Sequence, residues 1–473
     1  MIFISYLCQQ KQKDRVMTLI IVTMLILSYL LIATGHLTGV NKAAIAMFLG
    51  TVGWVVYVCW GADFVMAQHP DDYRERLAGA LPTSETVKLY IYNKVFLTYV
   101  GKAAAIVMFL LATMSIVELL NNNGCFDFIK EWIRTRNSKR LLWTITLATF
   151  ILSANLDNLT TTMTMLVIMH SILQNSRQRM YVGSAIVLAA NCGGCFTVIG
   201  DPTGLILWGD GAVTASHFSA FLAIPAILAW VIPTILINRE LPDRLDTAWS
   251  PSPYRGDDTR LNRWQRVIML IVGIGGLWFI PTFHNITKLA PFLGALCVLS
   301  VLWVVNEAFN HKLLAADQMF QRRVPMSLQY GALQQMLFVM GIMMGMGVIT
   351  ETGVWGDVAT WLDDNVHDVW MMGIGAGLLS CIVDSFTIAI SNISLFQVGV
   401  GDIAVNGAYW SIIAFSTAVG GCLLSVGSIS GIALMKMEHV SLGWYVKHLT
   451  PKVLLGWIVG YVILWLELNV VSF

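Results

Sequence analysis

Two clusters of oxygen donors stand out in an otherwise apolar chain. The first runs Ser153-Ala-Asn155-Leu-Asp157-Asn158-Leu-Thr160-Thr161-Thr162, followed by Asn191-Cys-Gly193-Gly194 and Gly200-Asp201-Pro-Thr203-Gly204. The second runs Ser380-Cys-Ile-Val-Asp384-Ser385-Phe-Thr387, followed by Gly420-Gly421 and Ser425-Val-Gly427-Ser428-Ile-Ser430-Gly431. Carboxylate, carboxamide, hydroxyl and main-chain oxygens suit hard cations, and the first tip holds no histidine, which argues against zinc or copper. An aspartate at membrane depth can hold Na+ or H+ but not both. With neither it is a bare buried charge, expensive to carry through an apolar barrier. Competition for one carboxylate, plus that penalty, is a minimal recipe for cation/proton exchange. Sodium and pH should then act on one group. Asp157 also stands where it can cap the helix that follows, a role Asp favours, and the two roles are compatible.

The two clusters are copies. Residue n answers to residue n+227: Ser153 to Ser380, Asp157 to Asp384, Gly193 to Gly420, Gly200 to Gly427 and Gly204 to Gly431. An upstream block, Gly124, Phe126 and Trp132 against Gly353, Trp355 and Trp361, repeats with a two-residue drift. Ionisable residues at membrane depth are functional suspects, and a duplicated pair is the mark of a secondary transporter built from structural repeats.

The rest of the chain belongs in lipid. Of 473 residues, 56% are hydrophobic and only 12% charged, where soluble domains average about 25% charged. A formal charge of +1 gives no reason to expect nucleic acid. The eight cysteines are scattered and make no disulfide framework. Cys192-Gly-Gly-Cys195 has redox or metal spacing, but its first cysteine answers to Val419, so small residues for close packing are the better reading. Candidate spans fall at 17–33, 43–66, 95–120, 181–208, 215–238, 267–283, 289–310, 328–350, 408–434 and 443–470. A hydrocarbon core near 30 Å needs about 20 residues of helix. Lys11, Lys13 and Arg15 precede Val16 to Ala33 without an Ala-x-Ala site, so that stretch reads as a retained span and not a signal peptide.

Two apolar segments fit no upright span. Residues 141–170 would make a helix of roughly 45 Å with a polar middle, and 369–396 reads the same way. As re-entrant hairpins they carry their polar tips to the bilayer midplane, where non-helical backbone survives only inside protein or beside a wet cavity. Lys130, Arg134, Arg136, Lys139 and Arg140 precede the first, and Arg177 and Arg179 follow it, which places its ends in the cytoplasm. Asp357, Asp363, Asp364, Asp368 and Asp402 flank the second, so its ends face outside. Arg74, Arg76, Lys88 and Lys94 then also fall outside, against the charge rule. Each hairpin precedes a helix expected to break: 181–208 at Asn191 to Gly194 and again at Gly200 to Gly204, and 408–434 at Ala418 to Gly421 and Ser425 to Gly431. Carbonyls freed by unwinding are good sodium ligands. The expected architecture is all-α and polytopic, with two inverted repeats, 1–240 and 267–473. A cytoplasmic loop, 241–266, joins them and carries Pro251-Ser-Pro253; the basic stretch 311–323 falls on the same side.

Ser153 to Thr162, Asn191-Cys-Gly-Gly and Gly200-Asp-Pro-Thr-Gly resemble the NhaD-type sodium/proton antiporters of the ion transporter superfamily. Met108 to Leu120 is similar to that family's third repeat helix. The likeness covers most of the chain from about residue 95. It implies a multi-pass antiporter of the bacterial inner membrane, exchanging Na+ (or Li+) for H+ by alternating access, without a cofactor, surrounded by membrane lipid and dimeric. Carried over by position, the ion-handling residues are Asp157, Asn158, Asn191, Asp201 and Thr203, then Asp384, Ser425, Ser428 and Ser430, with Na+ at Asp157, Asn158 and Asp384. The chemistry of the tips and breaks adds Ser153, Asn155, Thr161 and Gly193 in the first copy and Ser385, Thr387 and Gly420 in the second. The second tip departs from the family pattern: Asp-Asn before a Val-Pro-like turn becomes Asp384-Ser385-Phe-Thr387, one carboxamide fewer.

Two rivals follow from the same residues. A sodium- or proton-coupled anion transporter, for dicarboxylate or arsenite, would share the fold, although Asp157 and Asp384 would repel its substrate unless sodium neutralised them. An intramembrane aspartyl protease would use Asp157 and Asp201, with Gly200-Asp201 and Pro225-Ala-Ile as faint motif matches. It has no use for a second polar hairpin. Lys436, Glu438 and most histidines, including His69, His170 and His367, read as interfacial.

Overall fold

The computed structural model describes residues 2–77, 83–126, 128–129, 133, 135–247, 261–310, 326–366 and 368–470. Lys130, Trp132, Arg134, Pro251, Pro253, His367 and the stretch 311–323 lie outside them. Apart from two isolated β-bridges, the described regular structure is helical. Helix satisfies its backbone groups within one segment, as a lipid-facing chain requires. Seven described helices are long and apolar enough to cross a membrane: Val16–Ala33, Lys42–Cys59, Ser84–Asn122, Ala215–Asn238, Pro291–Phe309, Leu333–Glu351 and Thr450–Val470. A bent pair, Arg263–Trp278 with Ile280–Thr287, makes an eighth. The chain is a multi-pass membrane protein.

Two compact units emerge. The smaller comprises residues 1–107, 333–368 and 390–397. Its helices Lys42–Trp60 and Met326–Glu351 meet at glycines. A Cβ atom placed on Gly341 would lie 2.4 Å from the Ala46 carbonyl carbon, so backbones touch where side chains normally intervene. At the end of the second helix the buried Glu351 carboxylate meets His69 Nε2 at 2.7 Å and accepts from Tyr99 at 2.9 Å and Tyr57 at 3.4 Å. His69, expected at the interface, is instead the hydrogen-bonded partner of a buried acid.

The larger unit comprises 108–332, 369–389 and 398–473 and holds both polar clusters. Its key helices are α1 (Ser138–Ser153), α2 (Asn158–Ile172), α3 (Ser176–Phe196), α4 (Pro202–Gly209), α5 (Ala215–Asn238), α6 (Val369–Ser380), the first five residues of α7 (Ser385–Leu395), α8 (Ala408–Gly420), α9 (Ile429–Glu438) and α10 (Thr450–Val470). α1 and α2 fold back on each other. Leu245 N–H donates to Arg136 O (2.9 Å) and Ser138 N–H to Asp243 O (3.1 Å) at one end. At the other, Gln174 N–H donates to Asp246 O (3.0 Å) and Leu173 bridges Thr247. The five residues 243–247 span at most about 18 Å when extended, whereas 138–172 as one straight helix would separate those ends by roughly 50 Å.

Two helix expectations need correction. Asn191-Cys-Gly193-Gly194 does not interrupt its helix: α3 runs unbroken to Phe196, and only Thr197 to Asp201 unwinds. The glycines there serve close approach. A Cβ on Gly193 would lie 2.3 Å from Phe150 O, and one on its copy Gly420 would lie 2.5 Å from Gly377 O, the same contact moved by 227 residues. In the second copy the helix does end at Gly420. The expected span 443–470 is likewise two pieces, Leu442–His448 and then α10, whose second residue is Pro451.

Candidate functional site

The repeat read from sequence is also a repeat of contacts. Ser153 Oγ donates to Ala190 O at 2.6 Å, and Ser380 Oγ donates to Thr417 O at 2.7 Å. Each bond pins the end of a hairpin's first helix to the following broken helix. A Cβ on Gly194 would lie 3.0 Å from Gly200 O, and one on Gly421 would lie 3.0 Å from Gly427 O. The two half-sites therefore share one scaffold, and their side chains can be compared position by position.

In the first half-site two carboxylates cap two helix N-termini. Buried Asp157 caps α2, its Oδ2 accepting from Thr160 N–H at 3.1 Å and Thr160 Oγ1 at 3.2 Å. Asp201 caps α4, its Oδ2 accepting from Thr203 N–H at 3.0 Å. Asn158 joins the two helices: its Nδ2 donates to Asp201 Oδ1 at 2.9 Å and lies 3.4 Å from Asn191 Oδ1. Asn191 is held in turn by its own donation to Val187 O at 2.8 Å. Asn158 and Asp201 are half-buried and Asp157 is buried, so the cluster grades from partly open to closed. α1 and α3 end beside the same cluster, so the partial negative charge of two helix C-termini offsets the partial positive charge at the N-termini of α2 and α4, and the two carboxylates set the preference for a cation.

The second half-site keeps the backbone and loses charge and amides. Asp384, buried, accepts from Thr387 N–H at 3.4 Å, and Ser428 caps α9 by accepting from Gly431 N–H at 3.0 Å. Asn158, Asn191 and Asp201 are answered by Ser385, Ala418 and Ser428. Ser385 is held through its backbone, donating N–H to Gly427 O at 2.9 Å. Two carbonyls in this break are already engaged: Cys422 O accepts from Tyr445 at 2.9 Å and Leu423 O from Thr450 at 2.6 Å.

The predicted residues thus sort by what holds them. Asn158, Asn191, Asp201 and Thr203 form one hydrogen-bonded group, and Asp157, next to Asn158 in the chain, is held by Thr160. Asn155 stays out of it, donating to Ile151 O at 2.8 Å at the end of α1. Ser153 is a structural pin, and Gly193 and Gly420 are packing points. Among the described residues, the buried hydroxyls of Thr161, Thr162, Ser416, Ser425 and Ser430 find no hydrogen-bond partner. Buried polar atoms are normally satisfied, and these oxygens are of the kind a hard cation accepts.

A third group was not legible in the sequence. Glu438, expected at the interface, is buried at the end of α9 and is paired with Arg179 Nε at 2.6 Å and His170 Nδ1 at 2.7 Å. Tyr445 and Thr450 at the second break were missed as well. Partners 259 and 268 residues apart leave no local pattern to read.

Comparison with known proteins places the chain among membrane transporters. The "Citrate transporter" family model matches residues 20–399. "Sodium/proton antiporter 1" of Arabidopsis thaliana is 30% identical over 421 residues, covering 89% of this chain and 67% of the relative. "Na(+)/H(+) antiporter NhaD" of Vibrio cholerae is 26% identical over 425 residues, covering 81% of this chain and 84% of the relative. The chain belongs to the NhaD-type sodium/proton antiporters of the ion transporter superfamily. Its fold resembles that of the YdaH transporter of Alcanivorax borkumensis, described as having an unusual topology. The TM-score is 0.55 at 12% identity, covering 81% of this chain and 89% of that one. The matched family and relatives are transporters, and Asp157 and Asp201 each cap a separate helix.

Proposed function

We propose that this NhaD-type protein exchanges Na+ for H+ through competition at the first half-site. The observation that carries this reading is the Asp157–Asn158–Asp201 arrangement: Asp157 caps α2, and its neighbour Asn158 donates to Asp201 at the cap of α4, at the meeting of two broken elements. Asp157 holds either Na+ or H+; Asn158 and Asp201, with the unpartnered Thr161 hydroxyl, complete an all-oxygen environment. Li+ is a smaller hard cation and is accepted by the same donors. Asp384, with Ser385, Thr387, Ser425, Ser428 and Ser430, forms a weaker second cation site. Alternating access moves the two hairpins and broken helices together, as inverted repeats within a homodimer embedded in the lipid of a bacterial inner membrane.

A sodium-coupled anion transporter is the second reading, favoured by the family model's description as a citrate transporter. The carboxylates at both tips oppose it, since a carboxylate substrate would meet like charge. Everted vesicles with an imposed proton gradient decide between the two. Na+ and Li+ are expected to dissipate the gradient, while K+ and succinate or citrate are not. Sodium-dependent uptake of labelled succinate or citrate, without sodium-driven proton movement, would reverse the assignment.

A further inference from the structure

Glu438 sits where an acid is least welcome. It is the last residue of α9, and a helix C-terminus disfavours negative charge. Its side chain is also fully buried, which disfavours any charge. A guanidinium and an imidazole from other elements compensate. Arg179, in the first turn of α3, donates Nε to Glu438 Oε2 and Nη1 to Leu173 O at 3.2 Å and Gln174 O at 2.8 Å, just past the end of α2. His170, near the end of α2, reaches Glu438 Oε1.

Each of these three helices carries part of a half-site at its far end or along its length. α2 is capped by Asp157, α3 carries Asn191, and α9 is capped by Ser428. One carboxylate therefore ties two elements of the first half-site to one of the second. The repeat offers an internal comparison. Arg179 and Glu438 correspond to Asn406 and Gly211, and there too the chain makes a joint: Asn406 N–H donates to Ala212 O at 2.8 Å, and its Oδ1 accepts from Thr214 N–H at 2.7 Å. That equivalent joint is neutral and exposed. The fold asks for a connection at both places, and only the Glu438 joint uses buried charge.

We propose that Glu438 is a positioning residue for cation binding: its joint with Arg179 and His170 holds α2, α3 and α9 in the register that presents both half-sites to the ion. This rests on the exchange reading above. A residue that only helps the chain fold would change the amount of protein; one that sets site geometry changes affinity.

The test uses the full chain in proteoliposomes. Glu438→Gln and Arg179→Gln should each raise half-saturating Na+ about 3- to 10-fold with maximal exchange within about twofold of wild type. The double variant should be no worse than the stronger single, because both remove one joint. Asn406→Gly, at the neutral joint, should move half-saturation less than about twofold. A second measurement needs no transport. A Cβ on Gly183 would lie 2.5 Å from Leu434 Cδ1, across α3 and α9. The Gly183→Cys/Leu434→Cys pair should therefore cross-link readily, and less completely once Glu438→Gln is added. Unchanged cross-linking, additive effects, or lost protein with unchanged half-saturation would each overturn the proposal. If Glu438→Gln does not reach the membrane, His170→Gln, at the half-exposed edge of the joint, should show the same affinity shift more weakly, and no shift there would overturn it. Absence of sodium-driven proton movement in wild type would overturn the exchange reading, while the cross-link would still report on the joint.

Discussion

The two half-sites have the same backbone and different chemistry. Both pin a hairpin to a broken helix through a serine, Ser153 or Ser380, and both bring glycines against backbone, Gly193 on Phe150 and Gly420 on Gly377. Yet the first presents two carboxylates and two carboxamides where the second presents one carboxylate, two serines and Ala418. The second also commits the carbonyls of Cys422 and Leu423 to Tyr445 and Thr450. Both copies keep the scaffold, and on the proposed reading the first end is a strong cation site and the second a weak one. On that reading, what the fold needs is retained in both copies and what the ion needs is concentrated in the first.

The largest expected effect comes from making the first half-site resemble the second. Asp201→Ser removes the acceptor that Asn158 grips and the second charge beside the cation. Half-saturating Na+ in a proton-flux assay should rise at least tenfold, equivalent to about 1.4 kcal/mol, with protein still present in the membrane. Next is the scaffold. Gly193→Ala forces a methyl group onto the Phe150 carbonyl in mid-helix and should cost about 1–3 kcal/mol, read as a lower melting temperature in detergent. Gly420→Ala makes the same contact where α8 ends and the backbone can give, so its loss should be smaller. Gly101, with nothing within 4 Å of a Cβ, is the control: Gly101→Ala should leave melting unchanged or slightly raised.

Moving the second half-site toward the first should help modestly. Ser385→Asn returns the carboxamide present at Asn158, and half-saturating Na+ should fall about two- to threefold, within the range of a single added ligand. An unchanged sodium curve would mean that only the first half-site handles the cation.

The smallest effect lies outside both half-sites. Glu351 holds the His69 imidazolium above its ordinary pKa through their hydrogen bond, against the opposing effect of burial and with help from Asp72. A raised folded pKa stabilises fully below the unfolded value of about 6.5 and is lost as pH rises through the folded value. The melting difference between wild type and His69→Gln should therefore be widest below about pH 6.5 and close in more alkaline buffer.

How much of this was legible in the sequence follows from locality. Asp157 and Asp384 announced themselves because polar runs interrupt apolar ones, and the 227-residue offset located their partners. Asn191-Cys-Gly-Gly misled, because glycine marks close approach as readily as unwinding. Beside Phe150 the helix keeps its hydrogen bonds and uses Gly193 for space. The Glu438 joint was illegible because its members are hundreds of residues apart and each, taken alone, looks like an ordinary charge at a helix end. The same holds for Glu351, whose partners come from three separate segments.

On the proposed reading, Na+ and H+ compete at Asp157 and far less at Asp384. Purified protein in weakly buffered detergent solution, with sodium added while proton release is followed by a pH dye, tests it without any membrane gradient. Wild type and Asp384→Asn should both release protons on sodium addition, while Asp157→Asn should release essentially none yet remain folded. Full proton release from Asp157→Asn, or its loss in Asp384→Asn alone, would place the competition in the second half-site and contradict this account.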